Sequence, residues 1–228
     1  MGMETLHVPE IVPVMTLPHT VLFPQALLPL HIFEPRYRAM LRDVLANDRF
    51  FAIARLDPSQ PESPDQPEPL NLIASIGIIR ACQKGENDTF NLLLQGICRV
   101  KVKGIVQEDP YRIITVQPIT TSAGTSLAEL EVLRFEVMRL LNIRRRLGLP
   151  IPKGMTQFLE SIDDIDTFAD IAAFNLCEDS EIKQKLLETL ETRRRLQLFA
   201  SALKGEIEGQ RLRRKLQGHL TDDQIADN

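Results

Sequence analysis

The side chains that could carry nucleophilic or metal chemistry are few in this sequence and lie far apart. They are His7, His19, His31 and His219, together with Cys82, Cys98 and Cys177. None stands four residues from another, which is the spacing that lets a helix present two metal ligands, and no C-x-x-C pair occurs. Cys82 and Cys98 fall within apolar runs, where a thiol is expected to be inert core. We therefore predict no metal site, no cofactor and no catalytic residue.

Motifs that bind nucleotides or activate a nucleophile are also missing. The sequence has no G-x-x-x-x-G-K-[ST], and none of its 11 glycines is followed by lysine, so it lacks the loop that cradles the phosphates of ATP. It has no G-x-G-x-x-G, no G-x-S-x-G and no H-E-x-x-H. These absences exclude a phosphate-cradling P-loop and a dinucleotide fingerprint.

Three arginine-rich clusters could contact phosphate groups, at 144–146, 193–195 and 211–215. The whole chain, however, has 27 basic and 31 acidic residues and a net charge of −4, whereas nucleic-acid binders usually carry a basic excess. It has no tryptophan and two tyrosines on which bases could stack. We interpret the first cluster as a solvated arrangement that complements a helix dipole, and we do not expect nucleic-acid binding.

The first half of the chain is predicted to be rich in β-strands, which would position the residues discussed above. Six apolar or alternating runs predict strands, at 11–17, 26–33, 50–56, 72–82, 90–106 and 111–119. Gly77, Gly96 and Gly104 lie inside such runs, where glycine often marks a β-bulge or a barrel corner. Residues 35–46 predict one helix, because a proline stands at the first helical position and apolar residues recur at helical spacing. The proline-rich segment 57–69 predicts an exposed loop.

Everything from residue 126 onward predicts helices. Ser126 and Glu129 form a capping-box pattern at the start of a long helix that Gly148 ends. Shorter helices are predicted near 155–162, 167–176 and 180–190, with a last long helix after them. Asp166 is a candidate cap for the second short helix, and Thr192 for the last helix.

Length and composition agree with two units, a β-rich one at 1–122 and a helical bundle at 123–228. The predicted fold class of the chain is therefore α+β. The hydrophobic fraction of 43% and the charged fraction of 25% are ordinary for a globular protein of 228 residues. The odd number of cysteines makes a poor disulfide framework. The N-terminus lacks a signal peptide, and no run of about 18 apolar residues could span a membrane. We expect a cytoplasmic protein with no membrane association.

The segment LPHTVLFPQALLPLHIFEPRYRAML (17–41) is unusual because four prolines interrupt its apolar residues. Each proline fixes φ and removes a donor, so the segment cannot be one long strand. It predicts the end of one strand, a proline-bracketed crossing, a second strand and a helix that begins at Pro35.

This segment resembles the opening of the LON substrate-binding domain, the N-terminal domain of Lon proteases. The matching positions are Leu17, Pro18, Val21, Leu22, Phe23, Pro24, Pro29, Leu30, Ile32, Phe33, Glu34, Arg36 and Tyr37. His19 stands where the family often has leucine. Downstream, Gly77, Gly96 and Arg99 match a second family pattern, and the run 183–203 is similar to the leucine-rich helical part.

The resemblance implies a PUA-like β pseudo-barrel with one helix, followed by a helical bundle. It also implies a non-catalytic module that binds unfolded polypeptide or partner proteins, with self-association as a further expectation and a role as substrate receptor or adaptor in protein quality control. The binding surface is expected between barrel and bundle or on an exposed edge strand. Phe23, Leu28, Phe33 and Tyr37 are the first candidates for contact.

The chain departs from a full-length Lon protease in one respect. It ends at residue 228, about where the ATPase module would begin, and it has neither a Walker A loop nor the serine–lysine peptidase site. We expect neither ATP hydrolysis nor peptidase activity. Two alternatives stay open: RNA binding, because PUA-like barrels elsewhere bind RNA, and small-molecule sensing, although the zinc-bearing ligand domain of the LON-containing receptor cereblon has no counterpart here.

Overall fold

The computed structural model describes residues 8–59 and 68–217, and within these ranges the strands and helices follow the predicted order. The strands are β1 Ile11–Leu17, β2 Leu27–Ile32, β3 Phe50–Arg55, β4 Ile73–Lys84, β5 Phe90–Gln107 and β6 Ile113–Pro118. The helices are α1 Pro35–Ala46, α2 Leu127–Arg146, α3 Met155–Glu160, α4 Ile165–Leu176, α5 Ser180–Glu188 and α6 Thr192–Gln217. A short 3-10 turn at Glu86–Asp88 joins β4 to β5. The predicted α+β class is confirmed.

Two compact units divide the chain. The sheet unit holds Met1–Thr121 and Glu178–Glu188, and the helical unit holds Ser122–Cys177 and Thr189–Asn228. Helix α5 therefore groups with the strands, whereas the sequence pattern alone placed it with the other helices. Its Gln184 donates from Nε2 to the Ile73 carbonyl at 2.9 Å, which fastens it to the first residue of β4.

The sheet closes on itself through its longest strand. The strand order is β2-β5-β4-β3-β1-β6, and β5 also pairs with β6. Residues of β5 near its start pair with β2, and those near its end pair with β6, so one strand serves both neighbours. The register shifts at Gly77 and Gly104, as predicted for glycines inside strands. Small and β-branched side chains such as Val14, Ala52 and Ile114 fill the interior.

Gly96 lets the proline-bracketed crossing pack against β5. A Cβ atom at this position would lie 2.0 Å from the Phe23 carbonyl oxygen, a distance no side chain tolerates. The same contact is fixed by two backbone bonds, from Gln25 N to the Gly96 carbonyl at 2.8 Å and from Gly96 N to the Ala26 carbonyl at 2.9 Å. The crossing is therefore part of the wall of the sheet unit.

Helix capping in the helical unit follows the sequence at α2 and differs from it at α4 and α6. Ser126 caps α2 by accepting from the Glu129 N–H, as predicted. The cap of α4 is Asp164, which accepts from Thr167 N at 2.8 Å, so the assignment of the cap to Asp166 is wrong. Asp166 lies inside the first turn and instead accepts from Thr192 Oγ1 at 2.6 Å. Thr192 itself is the first residue of α6.

Two of the arginine clusters contain a buried member, and for the first cluster, 144–146, this corrects its interpretation as a solvated arrangement. Arg144 is 2% exposed and donates to the Leu176 carbonyl, and Arg195 is fully buried. Arg195 donates to Asp170 at 2.7 Å and to Asp166 at 2.9 Å. These charges hold α2 and α6 to α4, because a buried cation is stable only when it is paired.

The three cysteines, all within the described residues, form no disulfide and differ in exposure. Cys177 is buried and Cys98 is partly buried, but Cys82 is exposed at the end of β4, so its prediction as core is wrong. Burial raises the pKa of the Cys98 thiol. No helix in the described part of the chain is long and apolar enough to cross a membrane. The proline-rich segment lies largely outside the described residues, since 60–67 are not among them.

Candidate functional site

The predicted site residues separate into a buried group and a surface group. The buried ones are Phe23, Tyr37, Gly77, Gly96 and Arg99. Leu17, Pro24, Leu28 and Glu34 are half-buried, and Pro18, Phe33 and Arg36 are exposed. The buried group is part of the packing of the sheet unit, so a partner can reach the surface group and the half-buried residues beside it.

Arg99 shows how the buried group is used. Its side chain is 2% exposed, its Nε donates to the Leu187 carbonyl at 2.9 Å, and its guanidinium lies 5.8 Å from the Phe23 ring centroid. It therefore joins β5, the crossing and the end of α5 within the sheet unit. Gly77 also has a packing role, because a Cβ atom at this position would lie 2.6 Å from the Leu94 side chain. We find packing at these positions and no contact open to a ligand.

The surface group centres on β2, which lies at an edge of the sheet. Within residues 8–59 and 68–217, β2 pairs with β5 on one side and with no strand on the other. Alternate residues along it point outward, and we call these four the β2 stripe: Leu27, Pro29, His31 and Phe33.

The β2 stripe is apolar and partly preordered. Leu27 is 50% exposed and Phe33 is 61% exposed, both high values for large apolar side chains. The His31 and Phe33 rings stack with centroids 6.1 Å apart, and His31 Nδ1 lies 2.8 Å from Asn91 Oδ1 on β5. A row of apolar side chains beside unpaired backbone is the geometry that accepts an added strand.

A charged network lies at the start of α1. Arg36 pairs with Glu34 at 3.1 Å and with Glu68 at 3.2 Å, and Glu68 also accepts from Thr16 Oγ1 at 2.8 Å. Burial opposes ionisation of Glu68, but the Thr16 hydrogen bond and the Arg36 charge outweigh it and lower the pKa of the Glu68 carboxyl. Burial likewise opposes the charge on Arg36, while Tyr37 and Glu68 outweigh it and raise its pKa. The network fixes the orientation of the turn that follows β2.

Two features were missed by sequence reasoning. Arg55 ends β3 as a buried arginine that lines two cavities of the sheet unit. In the helical unit, a cavity of about 540 Å³ runs along α2 beside Phe135, which is 72% exposed. The signal for Arg55 was a single charge at the end of the apolar run FFAIARL, and the signal for Phe135 was an aromatic residue outside the apolar stripe of its helix.

Comparison with known proteins decides the family. The model described as the ATP-dependent protease La (LON) substrate-binding domain matches residues 11–205. The chain belongs to this family. The predicted recognition is thereby confirmed, and the buried motif residues described above are the framework of a LON domain.

Curated relatives of this LON domain are much longer proteins. The Lon protease of Desulfosudis oleivorans is 28% identical over 215 residues, covering 94% of this chain and 26% of that protein. Lon protease 2 of Myxococcus xanthus is 26% identical over 209 residues, covering 92% of this chain and 25% of that protein. The chain thus spans about a quarter of the length of the relatives it matches.

Solved structures agree on the LON fold. The N-terminal domain of a Mycobacterium avium complex Lon protease superposes with a TM-score of 0.65 at 17% identity, covering 85% of this chain and 98% of that one. A Lon N-terminal domain protein from Xanthomonas campestris gives a TM-score of 0.60 at 20% identity, covering 84% and 97%. At the level of its family, the chain has a substrate-binding role.

Proposed function

We propose that this LON domain binds extended polypeptide along the free edge of β2, as a non-catalytic substrate receptor or adaptor in protein quality control. The observation that carries the proposal is the β2 stripe beside an edge strand without a partner among the described residues. A bound segment would extend the sheet and place alternate side chains against Leu27 and Phe33.

Unfolded polypeptide suits this surface better than a folded partner. An edge strand offers backbone hydrogen bonds that depend little on the sequence of the partner, and exposed apolar side chains favour any segment rich in apolar residues. Pro29 removes one donor from the strand and so limits pairing between two copies of β2. The surface therefore favours binding of many unfolded segments of different sequence over binding of one specific folded protein.

The expected location follows from the same proposal. A receptor for unfolded polypeptide in which Cys82, Cys98 and Cys177 form no disulfide is suited to a reducing compartment such as the cytoplasm.

The test is binding of a permanently unfolded chain, reduced and carboxymethylated lactalbumin, measured by fluorescence anisotropy. The double variant L27S/F33S removes both large anchors and should weaken binding by about tenfold or more, because a few central anchors carry most of the energy of such an interface. Both residues are exposed, so the variant should retain the thermal stability of the parent protein.

Matched controls are available in the same chain. Leu72→Ser and Phe135→Ser remove apolar side chains that are 59% and 72% exposed and that do not belong to the β2 stripe. These variants should bind the unfolded chain like the parent protein. Equal binding by L27S/F33S and the parent would refute the proposal, and loss of binding in Phe135→Ser would move the site to the cavity along α2.

A further inference from the structure

Arg55 is a buried cation with no hydrogen-bond or ion-pair partner among the described residues. It is 6% exposed, its Nε is buried without a hydrogen bond, and its guanidinium makes no hydrogen bond or ion pair with any residue in 8–59 or 68–217. The other buried arginines are paired: Arg99 to a carbonyl, Arg112 to Glu108, and Arg144 and Arg195 to carbonyls and acids. A buried charge without a partner is costly, so this one calls for a ligand.

The backbone holds Arg55 in a fixed place. The residue ends β3, paired with Leu17 of β1, and its carbonyl accepts from Asn71 N at 2.9 Å and from Asn71 Nδ2 at 3.1 Å. The backbone that carries this side chain is therefore fixed before a ligand binds, which lowers the ordering cost of binding.

Two cavities of the sheet unit share Arg55, Asp57 and Pro58 in their walls. One has a volume of about 320 Å³, and its remaining walls are mainly apolar, with Pro18, Leu56 and Pro69 beside His19. The other, of about 370 Å³, is polar and includes Glu181, Gln184, Lys185 and Glu188 from α5. Arg55 thus stands where an apolar cavity meets a polar one.

The charges around Arg55 limit the anion to a single negative charge. The described walls of the polar cavity hold three acids, Asp57, Glu181 and Glu188, and one cation besides Arg55, which is Lys185. These acids would repel a phosphate or another dianion. Asp57 already accepts from Ser59 N at 3.0 Å and Ser59 Oγ at 2.7 Å. A carboxylate attached to an apolar body fits Arg55 and the proline-lined wall together.

The polar cavity also offers acceptors for a donor on the ligand. Gln184 donates from Nε2 to the Ile73 carbonyl at 2.9 Å and to Glu188 Oε1 at 2.8 Å, so a flipped amide would face two acceptors and the orientation is fixed. Its Oε1 is therefore an acceptor, buried and without a hydrogen-bond partner in the part of the chain that the structure describes. An N–H next to the carboxylate of the ligand would meet this amide oxygen and the acids of α5.

We propose that Arg55 and Gln184 form a binding site for an apolar α-amino acid, with the α-carboxylate on Arg55, the side chain in the proline-lined cavity and the nitrogen toward α5. The same chemistry occurs in a free amino acid and in the C-terminal residue of a peptide. The site does not rest on the proposed function, because it takes a single residue and requires nothing of the β2 edge.

The experiment is a titration of the whole chain followed by the ¹H–¹⁵N resonance of Arg55 Nε–H, with L-leucine, N-acetyl-L-leucine and N-acetyl-L-leucinamide. The two carboxylates should shift this resonance saturably and the amide should not. Binding of leucine alone would assign the site to free amino acids, and binding of N-acetyl-leucine would assign it to peptide C-termini. The inference would be overturned if neither carboxylate shifts the resonance, or if the amide shifts it equally.

Variants give a second readout by calorimetry. Arg55→Gln should weaken the carboxylate that binds by about tenfold or more, and Asp57→Asn should tighten it by removing a nearby negative charge. The matched control Arg80→Gln changes an exposed arginine that bonds Gln95 at 2.6 Å and should leave affinity unchanged. Equal affinity in Arg55→Gln would overturn the inference, and if that variant fails to fold, the resonance titration of the parent chain decides.

Discussion

Arg195 carries its charge inside the helical unit with no exposed surface. It donates to two carboxylates, those of Asp166 and Asp170, and to the Thr189 carbonyl at 3.0 Å. The sequence did contain a signal for this burial, because Arg195 stands four residues before Phe199 on the buried stripe of α6. Arg144 likewise stands four residues after Leu140 on the stripe of α2. Runs of three arginines hide this signal, since only one member of each run lies on the stripe.

Replacing Arg195 with methionine should destabilise the protein by about 3–5 kcal/mol, because the Asp170 carboxylate would stay buried without its cation. Arg194→Met is the matched control. Its side chain is 74% exposed and pairs with Glu191 at 3.2 Å, so the change should stay within about 0.5 kcal/mol. Urea unfolding followed by circular dichroism measures both variants. Similar free energies of unfolding for the two would contradict this account of the buried pair.

The strands and helices were predicted well because each is signalled locally. The apolar run of β1 and the proline at the start of α1 place those elements at their observed bounds. The sequence could not predict which strands pair with each other or which unit each helix packs in. Nothing local tells that β5 pairs with both β2 and β6, that β1 pairs with β3 in parallel, or that α5 joins the sheet unit. Those facts depend on contacts between residues far apart in the chain.

Strand β5 offers a paired test of one such contact. Gly96→Ala would place a Cβ atom 2.0 Å from the Phe23 carbonyl and should cost at least about 2 kcal/mol, because either the crossing or the strand must move. Gly104→Ala lies on the same strand with no atom within 4 Å of the new Cβ, and should change stability by less than about 0.5 kcal/mol. Thermal and urea unfolding compare them. If both alanines are tolerated, the crossing does not pack on β5 as described.

At the scale of the whole molecule, the family and fold class were within reach of the sequence, but the site was only partly so. The LON motif is specific because its prolines and aromatic residues are needed for packing, which is also why Phe23 and Tyr37 are buried and unavailable to a partner. Of the four first candidates for contact with a partner, Phe33 is the one whose side chain is exposed in the structure. Besides Arg55 and Phe135, Leu27 was missed, since the exposure of an edge strand and the lack of a counter-charge among the described residues are properties of the folded chain.

The charge of the whole molecule predicts that it does not bind nucleic acid. The net charge is −4, and Arg144 and Arg195 make buried contacts. The longest exposed basic cluster of the described helices is then 211–215. Arg214 of that cluster already donates to the Leu147 carbonyl at 2.7 Å. Fluorescence anisotropy with a labelled single-stranded RNA at about 0.15 M salt should therefore show an affinity weaker than about 100 μM. The variant R211Q/R213Q/K215Q should behave like the parent protein. Tighter binding that falls steeply with salt and is lost in this variant would instead support the RNA-binding alternative, because displacement of counterions from phosphates gives that salt dependence.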